Sequence, residues 1–307
     1  MTPPEQMKLK TDINGILLID KPGLLSSNAV LQQAKRLFTA RKAGHMGSLD
    51  PLATGMLPVC FGEATKFAQY GLDADKCYAV TALFGMTTNT GDAQGEILTT
   101  TANVQLSRDT LLQTIQRFLG DSLQLPPMFS ALKHQGKKLY EFARAGIEIE
   151  RQSRPITIHQ FDLVQLDNPS AQFLVRCSKG TYIRTLVEDV GLALGCGAHV
   201  TQLRRVYTTG FEDQPMYLLD DLHRLSSTER MTCLLPVDYM LRHVPIVVLN
   251  ADDLYALYQG RAIAYKSLLP AGQVRVYDDQ QQFQGLAEYD PPAAVLQPKR
   301  LMANALC

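Results

Sequence analysis

Three stretches of the chain carry side chains whose types and spacing could do chemistry. In the first, residues 44 to 66 read GHMGSLDPLATGMLPVCFGEATK, with Asp50 directly before Pro51. A residue ahead of proline is pushed toward extended backbone, so a stiff dipeptide aims the Asp50 carboxylate. Asp-Pro also opens ordinary turns, and taken alone it reads as one. Its company favours function: His45 lies shortly before it, and Gly44, Gly47 and Gly55 permit close backbone approach. The whole stretch breaks periodicity and is expected to be a long, shaped loop, a kind of segment that usually carries function. Its spacing alone names no reaction. The second stretch is SKGTYIRT, residues 178 to 185, which puts Arg184 in the first turn of a predicted helix. The macrodipole disfavours a cation there, and a carboxylate partner would compensate. The guanidinium fork suits bidentate pairing with an aspartate, although surface arginines more often snorkel to water. An aspartate so paired keeps its charge at neutral pH, as a nucleophile or base requires. The third is Tyr78, in the strand-like run YAVTAL. Tyrosine in a strand is usually packing, but in a site it can stack on an unstacked RNA base.

Several elements must position these groups. Residues 15 to 20 (GILLID) read as a buried strand closed by Lys21-Pro22-Gly23. Ser26 and Ser27 can cap a following helix, in which Val30, Leu31, Ala34, Leu37 and Phe38 recur at helical spacing. A strand at Tyr78 to Phe84, a turn through Thr90-Gly91-Asp92 and a helix from Arg108 to Leu119 come next, and Pro126-Pro127 ends that unit. Phe173, Val175 and Cys177 alternate as in a half-buried strand. A helix from about Thr181 then carries Ile183, Leu186, Val187, Val190 and Leu194 on one face, and Gly195 and Gly197 stop it. Strands and helices follow no strict alternation, so the main domain is expected to be α+β. After Pro236 and Pro245 the texture changes to short apolar runs broken by Gly and Asp, which predicts a main domain over 1–245 and a small β-rich one over 246–307. The alternative is that these last strands complete the main sheet.

The 307 residues, 46% apolar and 20% charged, exclude wholesale disorder, collagen and coiled coil. No apolar stretch approaches the ~18 residues of a membrane span, and the start MTPPEQMKLKTDIN lacks a secretory pattern, so a cytoplasmic protein is expected. Cysteines at 60, 77, 177, 196, 233 and 307 show neither C-x-x-C nor ligand spacing to histidine, which argues against zinc and disulfides. Thirty basic against thirty acidic residues deny the protein a global attraction for polyanions. Binding to nucleic acid therefore requires segregated charge. Residues 133 to 154 supply some, with Lys133, Lys137, Lys138, Arg144, Arg151 and Arg154 against Glu141, Glu148 and Glu150, although a solvated helix face is the plainer reading.

Three segments, GHMGSLDPLATGMLPVCFGEATKF, PPMFSALKHQGKKLYEFARAG and CSKGTYIRTLVEDVG, resemble the TruB-type tRNA pseudouridine synthases in order and spacing, and the likeness covers nearly the whole chain. The resemblance implies a mixed, mainly antiparallel sheet with flanking helices, followed by a PUA-like RNA-binding domain. It implies isomerisation of uridine 55 in the TΨC loop of tRNA, with no metal or organic cofactor. The expected partner is the T-arm of tRNA, met by a monomer without a membrane or an obligate protein partner. By motif, Asp50 corresponds to the catalytic aspartate, Arg184 to the arginine paired with it, and Tyr78 to the tyrosine that stacks on the target base. His45 corresponds to the residue that fills the space left when the uridine flips out, and Tyr182 and Leu203 to residues lining the uracil pocket. Ser48, Cys77 and Ala79 depart from the pattern, but they spare every one of these groups and bear on phosphate contacts instead.

Such a reaction breaks the bond from uracil N1 to ribose C1′ and joins C5 to C1′, so positive charge builds at C1′ as in glycoside cleavage. An ionised Asp50 could stabilise that charge, attack it, or remove a ribose proton. One rival reading is a tRNA-binding or folding module with an idle or secondary site; the other is a nucleoside hydrolase. The hydrolase needs a second acid beside Asp50, and none stands near it in sequence.

Overall fold

The computed structural model describes residues 12–303; Cys307 and the first eleven residues lie outside the described residues. Eight strands form the main sheet. Its order is Gly15–Lys21, Thr54–Phe61, Ala198–Thr208, Lys76–Phe84, Ser170–Cys177, Arg154–Asp167 and Gly120–Gln124, with Ala43–His45 also paired to Thr54–Phe61. Neighbours are antiparallel except Ala198–Thr208 against Thr54–Phe61, where Arg204 and Arg205 lie parallel to Thr54 and Gly55. The GILLIDK run is apolar without alternation because both its faces are covered. Leu17 and Ile19 pack toward the helices Ser27–Leu37 and Leu219–Arg224, while Ile16 and Leu18 pack toward Met46, Met56 and Phe211. Ser26 caps Ser27–Leu37 by accepting the Ala29 N–H.

The expected loop over 44 to 66 is mostly regular structure, strand at 44–45 and 54–61 and a 3-10 turn from Gly62. Only residues 46 to 53 are irregular, because MLPVCF inside Thr54–Phe61 is buried on both faces. Pro58 is tolerated there: its carbonyl accepts the Met46 N–H at 2.9 Å, so the N–H it lacks falls on the flank where Ala43–His45 has just ended. Gly55 (φ 96) sits at the parallel crossing, where a Cβ would lie 2.2 Å from the Arg205 carbonyl oxygen. The helix expected to reach Leu119 ends at Gln116. Gly120 (φ 87) then turns the chain into the edge strand Gly120–Gln124, which pairs with Arg154–Asp167.

From Ile246 the strands form a second sheet rather than extending the first. Its order is Ile246–Val248, Gly272–Tyr277, Phe283–Asp290, Val295–Leu301 and Ile263–Ala264, with the helix Ala251–Tyr258 against it. Phe67, Leu241, Val244 and Leu286 make a shared apolar cluster between the sheets. A buried Arg275–Asp238 ion pair at 2.8 Å and a bond from Lys66 Nζ to the Leu301 carbonyl at 3.0 Å join them further. No helix among the described residues is long and apolar enough to cross a membrane.

Candidate active site

Asp50 sits on a loop whose backbone is held by three buried side chains. Ser27 Oγ donates to the Leu49 carbonyl at 3.0 Å and accepts the Leu49 N–H at 2.7 Å. The buried Lys21 ammonium donates to the carbonyls of Pro51 at 3.3 Å and Ala53 at 2.6 Å. Arg205, fully buried, donates from Nη2 to the Gly47 carbonyl at 3.0 Å and from Nε to that of Met56 at 2.6 Å. Leu49 and Ala53 anchor the loop in the main core. A backbone held at so many points fixes a side chain's direction, which is what positioning a reacting group demands.

Arg184 falls in the first turn of Ile183–Ala193 and is 4% exposed, so it is no surface arginine. Its Nε lies 2.8 Å from Asp50 Oδ2, and 38% of the Asp50 side chain remains exposed. The expected bidentate fork is not formed. Nη1 instead donates to the Thr90 carbonyl at 2.6 Å and Nη2 to the Phe129 carbonyl at 2.8 Å, so the guanidinium joins three chain segments at one point. Burial pushes the Asp50 carboxyl above its ordinary range and Asp92 adds to the rise, while Arg184 and Lys21 pull it back. Burial also lowers Lys21 to about 8, against the pull of Asp50.

Tyr78 lies on Lys76–Phe84 between Val175 and Arg205 of its neighbour strands. Burial raises its phenol above the ordinary value, and the charge of nearby Arg205 opposes the rise. Tyr182 is the residue before Ile183–Ala193; its N–H donates to Gln124 Oε1 at 2.7 Å, and its carbonyl accepts from Gln124 Nε2 at 3.1 Å. His45 ends the strand Ala43–His45, and its buried Nδ1 has no partner among the described residues. Burial, Arg205 and Lys138 all disfavour its charged form. Leu203 is buried in the cluster that contains Leu49 and Ala53, with Tyr78 packed against that cluster. Asp50 and Arg184 are thus in direct contact, Tyr78 and Tyr182 feel the Asp50 charge, and Leu203 contributes from the core.

Three groups escaped the sequence reading. Asp92, 3.9 Å from Arg184 Nε, looked like a turn residue; buried, it accepts from Thr90 Oγ1 at 2.8 Å and the Gln94 N–H at 3.0 Å. Lys21 was hidden in a turn tripeptide. Arg205 did leave a signal, since strand alternation that turns Leu203 inward turns Arg205 inward too. The basic segment folds as the hairpin Lys133–His134/Lys137–Lys138 and the helix Leu139–Arg144, with Lys138 and Arg144 each 5.4 Å from the Tyr140 ring centre.

Models of three protein families match the chain: TruB family pseudouridylate synthase, N-terminal domain, over residues 35–183; tRNA pseudouridylate synthase B C-terminal domain over 184–242; and pseudouridine synthase II TruB, C-terminal, over 245–302. A tRNA pseudouridine synthase B of Neisseria meningitidis serogroup B is 51% identical over 96% of this chain and 96% of its own. One from Legionella pneumophila is 49% identical over 91% and 92%. Among solved structures, a chain of a Cbf5-Nop10-Gar1 complex superposes with a TM-score of 0.68 at 25% identity, covering 90% of this chain and 78% of that one.

Proposed function

The chain belongs to the TruB family of pseudouridylate synthases, and from that premise we propose that it isomerises uridine 55 in the TΨC loop of tRNA. The observation that carries the reading is a single carboxylate, Asp50, partly open to solvent and fixed by a buried arginine on a loop with no slack. In the isomerisation the N1–C1′ bond breaks, the uracil turns, and C5 bonds to C1′; C5 loses its proton and N1 ends with one. Nothing is added or removed overall. Asp50 acts on the ribose as nucleophile or base, and Arg184 favours its ionised form and aims it.

The uridine must first leave its loop, which costs a few kcal/mol of stacking. Tyr78 stacks on the extruded base, with Tyr182 and Leu203 around it, and His45 enters the space the base leaves. The orphaned His45 Nδ1 supports that role, since a buried ring nitrogen without a partner is one that an RNA group can satisfy. Lys138 is near enough to His45 to act on its charge, and it is suited to meet a phosphate of the T-arm there. We take the enzyme to act as a monomer on cytoplasmic tRNA, with residues 246–307 as an RNA-binding domain. Mapping pseudouridine on an unmodified tRNA transcript after incubation tests the reading. Product at the TΨC-loop uridine, and none when that uridine is replaced by cytidine, is expected. Binding without product would favour an RNA-folding role instead.

A further inference from the structure

Glu188 has no part in the site described above, yet it stands one helical turn beyond Arg184 on Ile183–Ala193, and residues four apart share a helix face. Its half-buried carboxylate presses on the turn Thr90-Gly91-Asp92. A Cβ on Gly91 would lie 2.8 Å from one Glu188 carboxylate oxygen and 3.1 Å from the other. That same turn supplies the carbonyl that holds Arg184 Nη1 and carries the Asp92 carboxylate beside Nε. The charged groups facing Glu188 are Arg184 and Asp189 on its own helix and Asp92 on the turn, and among the described residues no hydrogen bond steadies it.

Burial pushes the Glu188 carboxyl up to about 7, Arg184 pulls the other way, and Asp189 and Asp92 add to the rise. A carboxylate with a raised pKa favours the fold below the ordinary glutamate range, and that contribution is lost as pH climbs through about 7. At neutral pH, then, the ionised group works against stability. Features kept at such a cost tend to sit where function needs them.

We propose that Glu188 is a positioning residue for the isomerisation: ionised, it holds the Thr90–Asp92 turn and the Arg184 guanidinium in the arrangement that presents Asp50 to the sugar. This rests on the synthase reading given above. Glu188→Gln in the full-length protein keeps the shape and removes the charge. Single-turnover rates on unmodified tRNA transcript, between about pH 5.5 and 8.5, then separate the possibilities.

Wild type is expected to slow as pH falls through about 7. Glu188→Gln should be about tenfold slower at the alkaline end, the factor that one pKa unit of coupling represents, and equal to wild type at the acid end. Its tRNA affinity should be unchanged, and it should melt above wild type at pH 8 but not at pH 5. Glu188→Asp, which keeps the charge, should keep the break near neutral pH. A Glu188→Gln enzyme with the wild-type rate and profile would overturn the proposal, as would one slowed by the same factor at every pH. A wild type that makes no pseudouridine would overturn the functional reading instead.

Discussion

Met46 lies between His45 and Gly47, buried against the helix Ala68–Asp73, and a methyl added at Gly71 would fall 2.3 Å from its Sδ and 2.9 Å from its Cβ and Cγ. Gly71 has ordinary helical backbone, so alanine there would by itself stabilise the helix by about 0.5–1 kcal/mol. Contact with Met46 reverses the sign. The thioether end could swing aside, but Met46 is fully buried, and its Cβ is tied to the loop backbone that leads to Asp50. Overpacking costs about 1–3 kcal/mol, and contacts this short belong in the upper half, about 2–3, which leaves a net loss of roughly 1–2.5 kcal/mol. For a chain of 307 residues that lowers Tm by only about 2–4 °C.

The catalytic effect of Gly71→Ala should be larger than the stability loss implies, because relief of the clash shifts the loop and ~1 Å of misplacement costs about 10²-fold in rate. Single-turnover rates at saturating enzyme, with melting curves and tRNA affinity alongside, make the comparison. Met46→Ala added to Gly71→Ala removes the obstacle and should recover most of the lost rate, although it leaves a cavity costing about 2–5 kcal/mol. A Gly71→Ala enzyme with wild-type rate would refute the reasoning. So would a double variant no faster than the single.

Three further outcomes are expected. Arg184→Lys keeps the charge but cannot serve Asp50, Thr90 and Phe129 together, so turnover should collapse and urea stability fall by about 2–5 kcal/mol; near-normal rates would remove the argument from the ion pair. Arg275→Met strands the buried Asp238 carboxylate and should cost about 3–5 kcal/mol in urea while leaving the single-turnover rate at saturating enzyme unchanged; equal stability would mean Asp238 finds water. Burial lowers Lys76 to about 8, so between pH 8 and its ordinary 10.5 the unfolded chain holds a proton that the folded one has released. Folding is therefore favoured as pH rises through that window, and the stability difference between wild type and Lys76→Met should move toward wild type between pH 8 and 10. A constant difference would contradict the shift.

Arg184 was legible because a cation at a helix N-terminus breaks a local rule and asks for a long-range partner; Asp50, which alone reads as a turn, was legible from its company, His45 and three glycines in one long stretch. Which atoms answer was not legible. The Thr90 and Phe129 carbonyls that replaced the expected bidentate fork lie 94 and 55 residues from Arg184 in sequence. Arg205 reaches the Met56 carbonyl across 149 residues, so no window along the chain could reveal that it braces the loop. The strand Thr54–Phe61 was read as loop for a related reason. Its Pro58 and flanking glycines are breakers in local terms, yet they fit where a neighbour strand ends and where two strands cross in parallel. The basic segment could be counted from the sequence, but that Lys138 lies near His45 emerged only from the fold.

The most direct test of the account compares wild type with Asp50→Asn in a single turnover of unmodified tRNA transcript, reading bound RNA and pseudouridine in the same samples. Asparagine keeps an acceptor for Arg184 Nε, so the loop and the affinity for tRNA should survive while product disappears. An Asp50→Asn enzyme that formed pseudouridine at close to the wild-type rate would contradict the claim that this carboxylate carries the chemistry.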